Sequence, residues 1–119
     1  MKKEKCNSVM VDGVEYVPRG ASPEMSDDYV LVRTRDAGVF AGVLLERDGD
    51  EVKLKNARRI WYWAGAATLS QLAMEGTSAP ESCKFPRMVE EVILLGVIEI
   101  IPCALKAQKS IKGVKVWAA

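Results

Sequence analysis

The chain has 119 residues, 49% hydrophobic and 28% charged, with a net charge of +1. That length and mix fit one compact domain. The near-neutral charge argues against a protein dedicated to long nucleic acids, since such proteins neutralise many phosphates and are strongly basic.

Residues 1–8 read as a solvated tail, charged at Lys2 to Lys5 and followed by no apolar signal region. Val9-Met10-Val11 and Val14-Glu15-Tyr16-Val17 flank Asp12-Gly13, a pair suited to a type I′ turn, and predict a hairpin. Pro18, Gly20 and Pro23 interrupt it, and Gly20 to Asp28 reads as a linker. Tyr29–Thr34 is rich in β-branched residues and predicts a strand, with a turn at Ala37-Gly38 and a second strand over Val39–Glu46. Asp48-Gly49-Asp50 predicts the next turn, Glu51–Lys55 a half-exposed strand, and Arg58–Trp63 its extended continuation. Gly38 and Gly42 sit where a strongly bent strand needs them.

Thr68 to Gln71 has the spacing of a capping box and opens a helix that Gly76 closes. Thr77–Pro86 is a loop between prolines, and Val89–Ile101 is extended with a bend at Gly96. Ala104–Ile111 predicts a second short helix ended by Gly113, and Val114–Trp117 a last strand. The fold class is therefore α+β. The expected architecture is a small curved antiparallel sheet or partly open barrel with two short helices and an N-terminal hairpin extension. Residues 1–28 form the tail, hairpin and linker, and 29–119 a single ligand-binding domain.

No histidine is present. Ser–His and Cys–His machinery is therefore excluded, and the commonest metal ligand is missing. Cys6, Cys83 and Cys103 match no zinc spacing, and three cysteines make a poor disulfide framework, so reduced thiols are expected. Val92 to Ile101 is too short to span a membrane and contains Glu99. No glycine-rich phosphate loop is present: Gly38 to Gly42 lacks the following Lys-Ser/Thr. Glu90-Glu91 and Asp48/Asp50 have no helical face to pair them as an acid–base dyad.

The segment Asn56-Ala57-Arg58-Arg59-Ile60-Trp61-Tyr62-Trp63 carries the clearest chemistry. In an extended chain alternate side chains share a face, which groups Arg59, Trp61 and Trp63 against Arg58, Ile60 and Tyr62. A guanidinium bonds phosphate in a bidentate manner, and aromatic rings stack on bases. The same residues also fit a core, with the tryptophans as apolar bulk under a cation–π lid. Phe85, between Lys84 and Arg87 in the proline-bounded loop, fits either base stacking or a plug over the core. Arg33 and Arg35 read as a solvated sheet face, and Lys106 and Lys109 as a solvated helix stripe that continues to Lys112.

Several strings resemble one phage family: Val-Arg-Thr and Ala-Gly-Val-Phe-Ala-Gly, Lys55 to Trp63, Leu69 to Gly76, Cys83-Lys84-Phe85, Ile98 to Cys103 and Val116-Trp117. On them the region beyond residue 28 resembles the first-described family of Thoeris anti-defence sponges. The resemblance implies a non-enzymatic phage protein that sequesters glyco-cyclic ADP-ribose, unhydrolysed, at a homodimer interface in the cytoplasm of the infected host. It also implies hexamers in some members, which bind cyclic di- and trinucleotides of the CBASS system at separate sites. Carried onto this chain, it implies Arg58 or Arg59 as phosphate ligand, Phe85 as stacking residue and Lys112 as a basic contact across the dimer. The full expected set is Asn56, Arg58, Arg59, Trp61, Trp63, Phe85, Arg87 and Lys112, with no cofactor, no metal, no long nucleic acid and no membrane. The competing expectation is a structural or interaction protein of phage origin with no nucleotide ligand. A cyclic-nucleotide hydrolase ranks below both, because such hydrolysis usually recruits metals or histidine.

Overall fold

The computed structural model describes residues 10–11, 14–15 and 23–118. Two short strands, β1 (Met10–Val11) and β2 (Val14–Glu15), pair antiparallel in a sheet of their own, as the Asp-Gly spacing predicts. The expected tail, the Asp12-Gly13 turn itself and the linker up to residue 22 lie outside the described residues. The main domain runs β3 (Met25–Thr34), β4 (Val39–Asp48), β5 (Glu51–Arg59), α1 (Leu69–Glu75), β6 (Val89–Leu94), β7 (Val97–Ala104) and α2 (Leu105–Lys112). It is mostly β, with one five-stranded antiparallel sheet in the order β6-β5-β4-β3-β7 that does not close, and two helices. No helix is long and apolar enough to cross a membrane among the described residues.

The apolar run Tyr29-Val30-Leu31-Val32 explains why β3, paired between β4 and β7, is buried on both faces. Alternate residues of a strand face opposite sides, and here both sides are buried. Val30 and Val32 join Phe40, Val52, Leu54, Ala57 and Leu94 inside the curl of the sheet. Tyr29 and Leu31 join Leu72, Ala73, Phe85, Cys103, Ala107 and Ile111 under the helices. Complete burial of a leucine such as Leu31 or Leu72 contributes roughly 1.5–3 kcal/mol. A polar residue at Val30 or Leu31 would therefore break one of the two cores.

The curl has a local cause. The β4–β5 register slips between Ala41 and Val43, where Ala41 faces Arg58 and Val43 faces Lys55. A bulge thus sits at Asn56–Ala57, and Asn56 adopts a positive φ of 52°. Gly42 lies opposite. A Cβ there would come within 3.1 Å of the Ala57 Cα and the Lys55 carbonyl, so a side chain would push the two strands apart.

Four expectations change. β3 begins at Met25, four residues inside the expected linker, anchored where the Ser26 hydroxyl donates to the Cys103 carbonyl at 2.7 Å. Val89–Ile101 is not one strand but two, lying at opposite edges of the sheet. The chain crosses between them at Leu95-Gly96, held by Arg35 N–H to the Gly96 carbonyl and Val97 N–H to the Asp50 carbonyl, both 2.9 Å. β5 stops at Arg59, and beyond it only a single bridge joins Tyr62 to Lys84. Val114–Trp117 forms no strand; Val116 bridges Phe85 alone.

Both helices follow their sequence signals. The Thr68 side chain accepts from Gln71 N–H at 3.1 Å and caps α1. Gln71 Oε1 accepts from Ala67 N–H rather than from Thr68, a one-residue variation on the capping box. Gly76 closes α1 at φ 78° against α2, where a Cβ would meet Ser110 Cβ at 2.4 Å. Gly113 caps α2 through its N–H to the carbonyls of Lys109 and Ser110.

Candidate binding cleft around Arg58

The bulge in β5 decides what faces the helices. Leu54 and Ala57 point into the curl, three residues apart instead of two, while Asn56 and Arg58 point to the other side. Arg58 is 6% exposed. Its Nε donates to the Pro86 carbonyl (3.1 Å), Nη1 to Ile111 (2.9 Å) and Nη2 to Phe85 (3.2 Å). Its Cζ stands 5.5 Å from the Phe85 ring centroid. Among the described residues no carboxylate lies within 4 Å of it. A guanidinium has five N–H donors, so three carbonyls leave two for another partner. Burying a charge without a counter-ion is costly, and burial pulls the Arg58 pKa below its ordinary value, opposed by the nearby Tyr29.

This guanidinium lies at the wall of a cleft of about 390 Å³ lined by Tyr29, Asn56, Arg58, Met88, Lys112, Val114 and Val116. Tyr29 is 3% exposed and lines the cleft. Burial raises its pKa well above the ordinary phenol value, and Cys103 adds to this while Arg58 opposes it. The hydroxyl therefore stays protonated, able to donate. Lys112 Nζ stands 5.7 Å from the Tyr29 ring centroid. The cleft thus combines two cations, a phenol, an amide and three apolar side chains, a balance suited to a small anion with an apolar part. Two other concavities differ in charge: one brings Glu24, Asp27 and Asp28 together, and another Arg35, Asp36 and Asp50.

The expected site residues divide. Asn56, Arg58 and Lys112 meet in the cleft. Arg59 is exposed and lies elsewhere, with its Cζ 4.3 Å over the Phe40 ring and Nη1 donating to the Ala37 carbonyl. Trp63 packs against the helix-side core, and its Nε1 donates to Ala66 at 3.2 Å. The shared face expected for Arg59, Trp61 and Trp63 does not form, because the strand ends at Arg59. Phe85 is 0% exposed. Of its two expected roles the structure corrects the stacking one: the ring has no free face and fills the core, while its carbonyl holds Arg58. Arg87 is exposed, between Pro86 and Met88, and does not line the cleft. Tyr29, Met88, Val114 and Val116 are additions. Nothing in the Tyr-Val-Leu-Val run marks its tyrosine as anything but core. No group of three or more His, Cys, Asp or Glu is placed to hold a metal ion among the described residues.

Fold and cleft define a small, mostly β, α+β domain with a basic, half-apolar cleft lined by Arg58 and Lys112. Residues 27–111 match the family model described as a domain of unknown function, DUF6948, and the chain belongs to that family. No curated protein and no solved structure matches it.

Proposed function

We propose that this protein binds and sequesters a small cyclic nucleotide signal at the Arg58 cleft without cleaving it, as the Thoeris sponges that its sequence resembles do. The observation that carries this reading is the buried Arg58 guanidinium. It has no carboxylate partner among the described residues, keeps two N–H groups unused by its three carbonyls, and stands in a cleft with Lys112. Fixed donors of this kind favour a phosphate, which brings the counter-charge that the site lacks. A sponge needs affinity and no chemistry, and a sequence without histidine is consistent with that. The preferred ligand on this reading is glyco-cyclic ADP-ribose, with cyclic di- or trinucleotides as further ligands. The protein would act in the cytoplasm of the infected bacterial host as a homodimer or hexamer.

A second reading, an interaction protein with no nucleotide ligand, is favoured by the exposed apolar residues Ile93, Leu95 and Ile98 along the β6–β7 rim. One assay separates them. The protein is mixed with glyco-cyclic ADP-ribose and removed by filtration, and free signal is measured before and after the retained fraction is heated. Loss followed by intact release establishes a sponge. Loss without intact release indicates an enzyme or irreversible capture. No loss here or with a panel of cyclic oligonucleotides leaves the interaction reading ahead.

A further inference from the structure

Trp61 and Trp117 are 63% and 44% exposed, yet both are pinned to one segment. Trp61 N–H donates to the Lys84 carbonyl at 3.1 Å, and Trp117 N–H to the Phe85 carbonyl at 3.0 Å. Their ring centroids are 6.4 Å apart and their planes 10° from parallel. Lys84 Nζ stands 5.7 Å from the Trp117 ring and 5.9 Å from that of Tyr62, itself exposed. Tryptophan stabilises a fold mainly through the area it buries. A stacked pair left open to solvent beside a cation has forgone much of that gain, and its shape suits a planar ring carrying negative charge nearby.

The Phe85 carbonyl ties this pair to the cleft. The same oxygen accepts from Trp117 N–H at 3.0 Å and from Arg58 Nη2 at 3.2 Å. The guanidinium nitrogen and the Trp117 backbone nitrogen therefore lie within about 6 Å of each other. Val116, the residue before Trp117, lines the cleft.

We propose that Trp117, backed by Trp61, is the stacking platform for the heterocycle of a nucleoside phosphate whose phosphates lie at Arg58 and Lys112. This rests on the binding reading above and assigns the half of the ligand that the core residue Phe85 cannot hold. Lys84 neutralises charge between the two halves. The ligand class follows: a planar base joined to phosphate through a short linker, bound more tightly than either part alone.

Isothermal titration calorimetry with inorganic pyrophosphate and with ADP tests the assignment, because the signal survives removal of a tryptophan. Wild type is expected to bind ADP at least about fivefold more tightly than pyrophosphate, the lower end of one base-stacking contribution. Trp117→Ala is expected to erase that difference and leave pyrophosphate unchanged. Trp117→Phe is expected to restore most of it, which also covers the case in which the alanine variant does not fold. Lys112→Met is expected to weaken both ligands. Equal ADP affinity in Trp117→Ala and wild type overturns the platform and leaves the phosphate cleft standing. So does ADP binding no tighter than pyrophosphate in wild type. Failure of both probes to bind wild type overturns this proposal, while the capture assay with the cyclic signal still decides the sequestration reading independently.

Discussion

Three carbonyl oxygens from two separate segments, Phe85–Pro86 and Ile111, converge on the guanidinium of Arg58. The residue is therefore structural as well as a candidate ligand. Arg58→Met is expected to lower stability by about 3 kcal/mol, since it leaves buried acceptors unsatisfied. Arg58→Lys should recover part of this, because one ammonium cannot reach all three oxygens with the geometry of a guanidinium fork. Urea denaturation of both variants checks the order; equal stability of wild type and Arg58→Met would show that water satisfies the carbonyls. Burial also pushes the Cys103 thiol up to about 12 and raises the Tyr29 phenol further. In the unfolded chain these groups ionise near 9 and 10, while the folded protein retains both protons. The unfolded state then binds fewer protons as pH rises, so stability present in full below about pH 9 falls above it. The slope approaches about 1.4 kcal/mol per pH unit for each group. Cys103→Ala should make the decline shallower in denaturation curves recorded between about pH 8 and pH 11; a flat wild-type profile there would contradict it.

The elements around the cleft are held by contacts between neighbours more than by their own propensity. α1 has seven residues and no acidic side chain in its first turn, so it is too short to be stable alone. Its ends are fixed by Thr68 and by Gly76 against Ser110 of α2. Gly76→Ala is expected to destabilise by about 3 kcal/mol, from the positive φ and the clash with Ser110 together. Thr68→Ala should cost only about 1 kcal/mol, the usual loss of one N-cap. Thermal denaturation distinguishes them; equal effects would mean that α1 and α2 separate without consequence for the core. The capping pattern and both helix-ending glycines were legible as local signals. The bulge at Asn56–Ala57 was not, because a bulge forms only when a partner strand approaches, here at side-chain-free Gly42. That one slip set the face of Arg58 and placed it beside Lys112, fifty-four residues away in sequence.

At the scale of the whole molecule, the two buried clusters draw every member found among the described residues from residues 29–114. A chain beginning at Pro23 is expected to unfold in one cooperative transition close to that of the full chain. A midpoint displaced by more than about 5 °C, roughly 1 kcal/mol for a domain of this size, would show that residues 1–22 contribute to the fold. Ligand binding should raise the midpoint by mass action, by about 2.7 kcal/mol at one hundred times Kd, or on the order of 10 °C. The absence of any shift with cyclic nucleotides would remove the sequestration reading. By itself the sequence determined the α+β class, the strands over Tyr29–Thr34 and Val39–Glu46, both helices with their end signals, and the residue types capable of holding phosphate. These are properties of neighbours in the chain: periodicity, turn chemistry and the presence or absence of a side chain. Tertiary structure alone decided that Phe85 is core, that Trp61 meets Trp117, that β6 and β7 lie on opposite edges, and that Tyr29 and Lys112 join Arg58. Each depends on how the sheet curls, and the curl arises where distant strands meet.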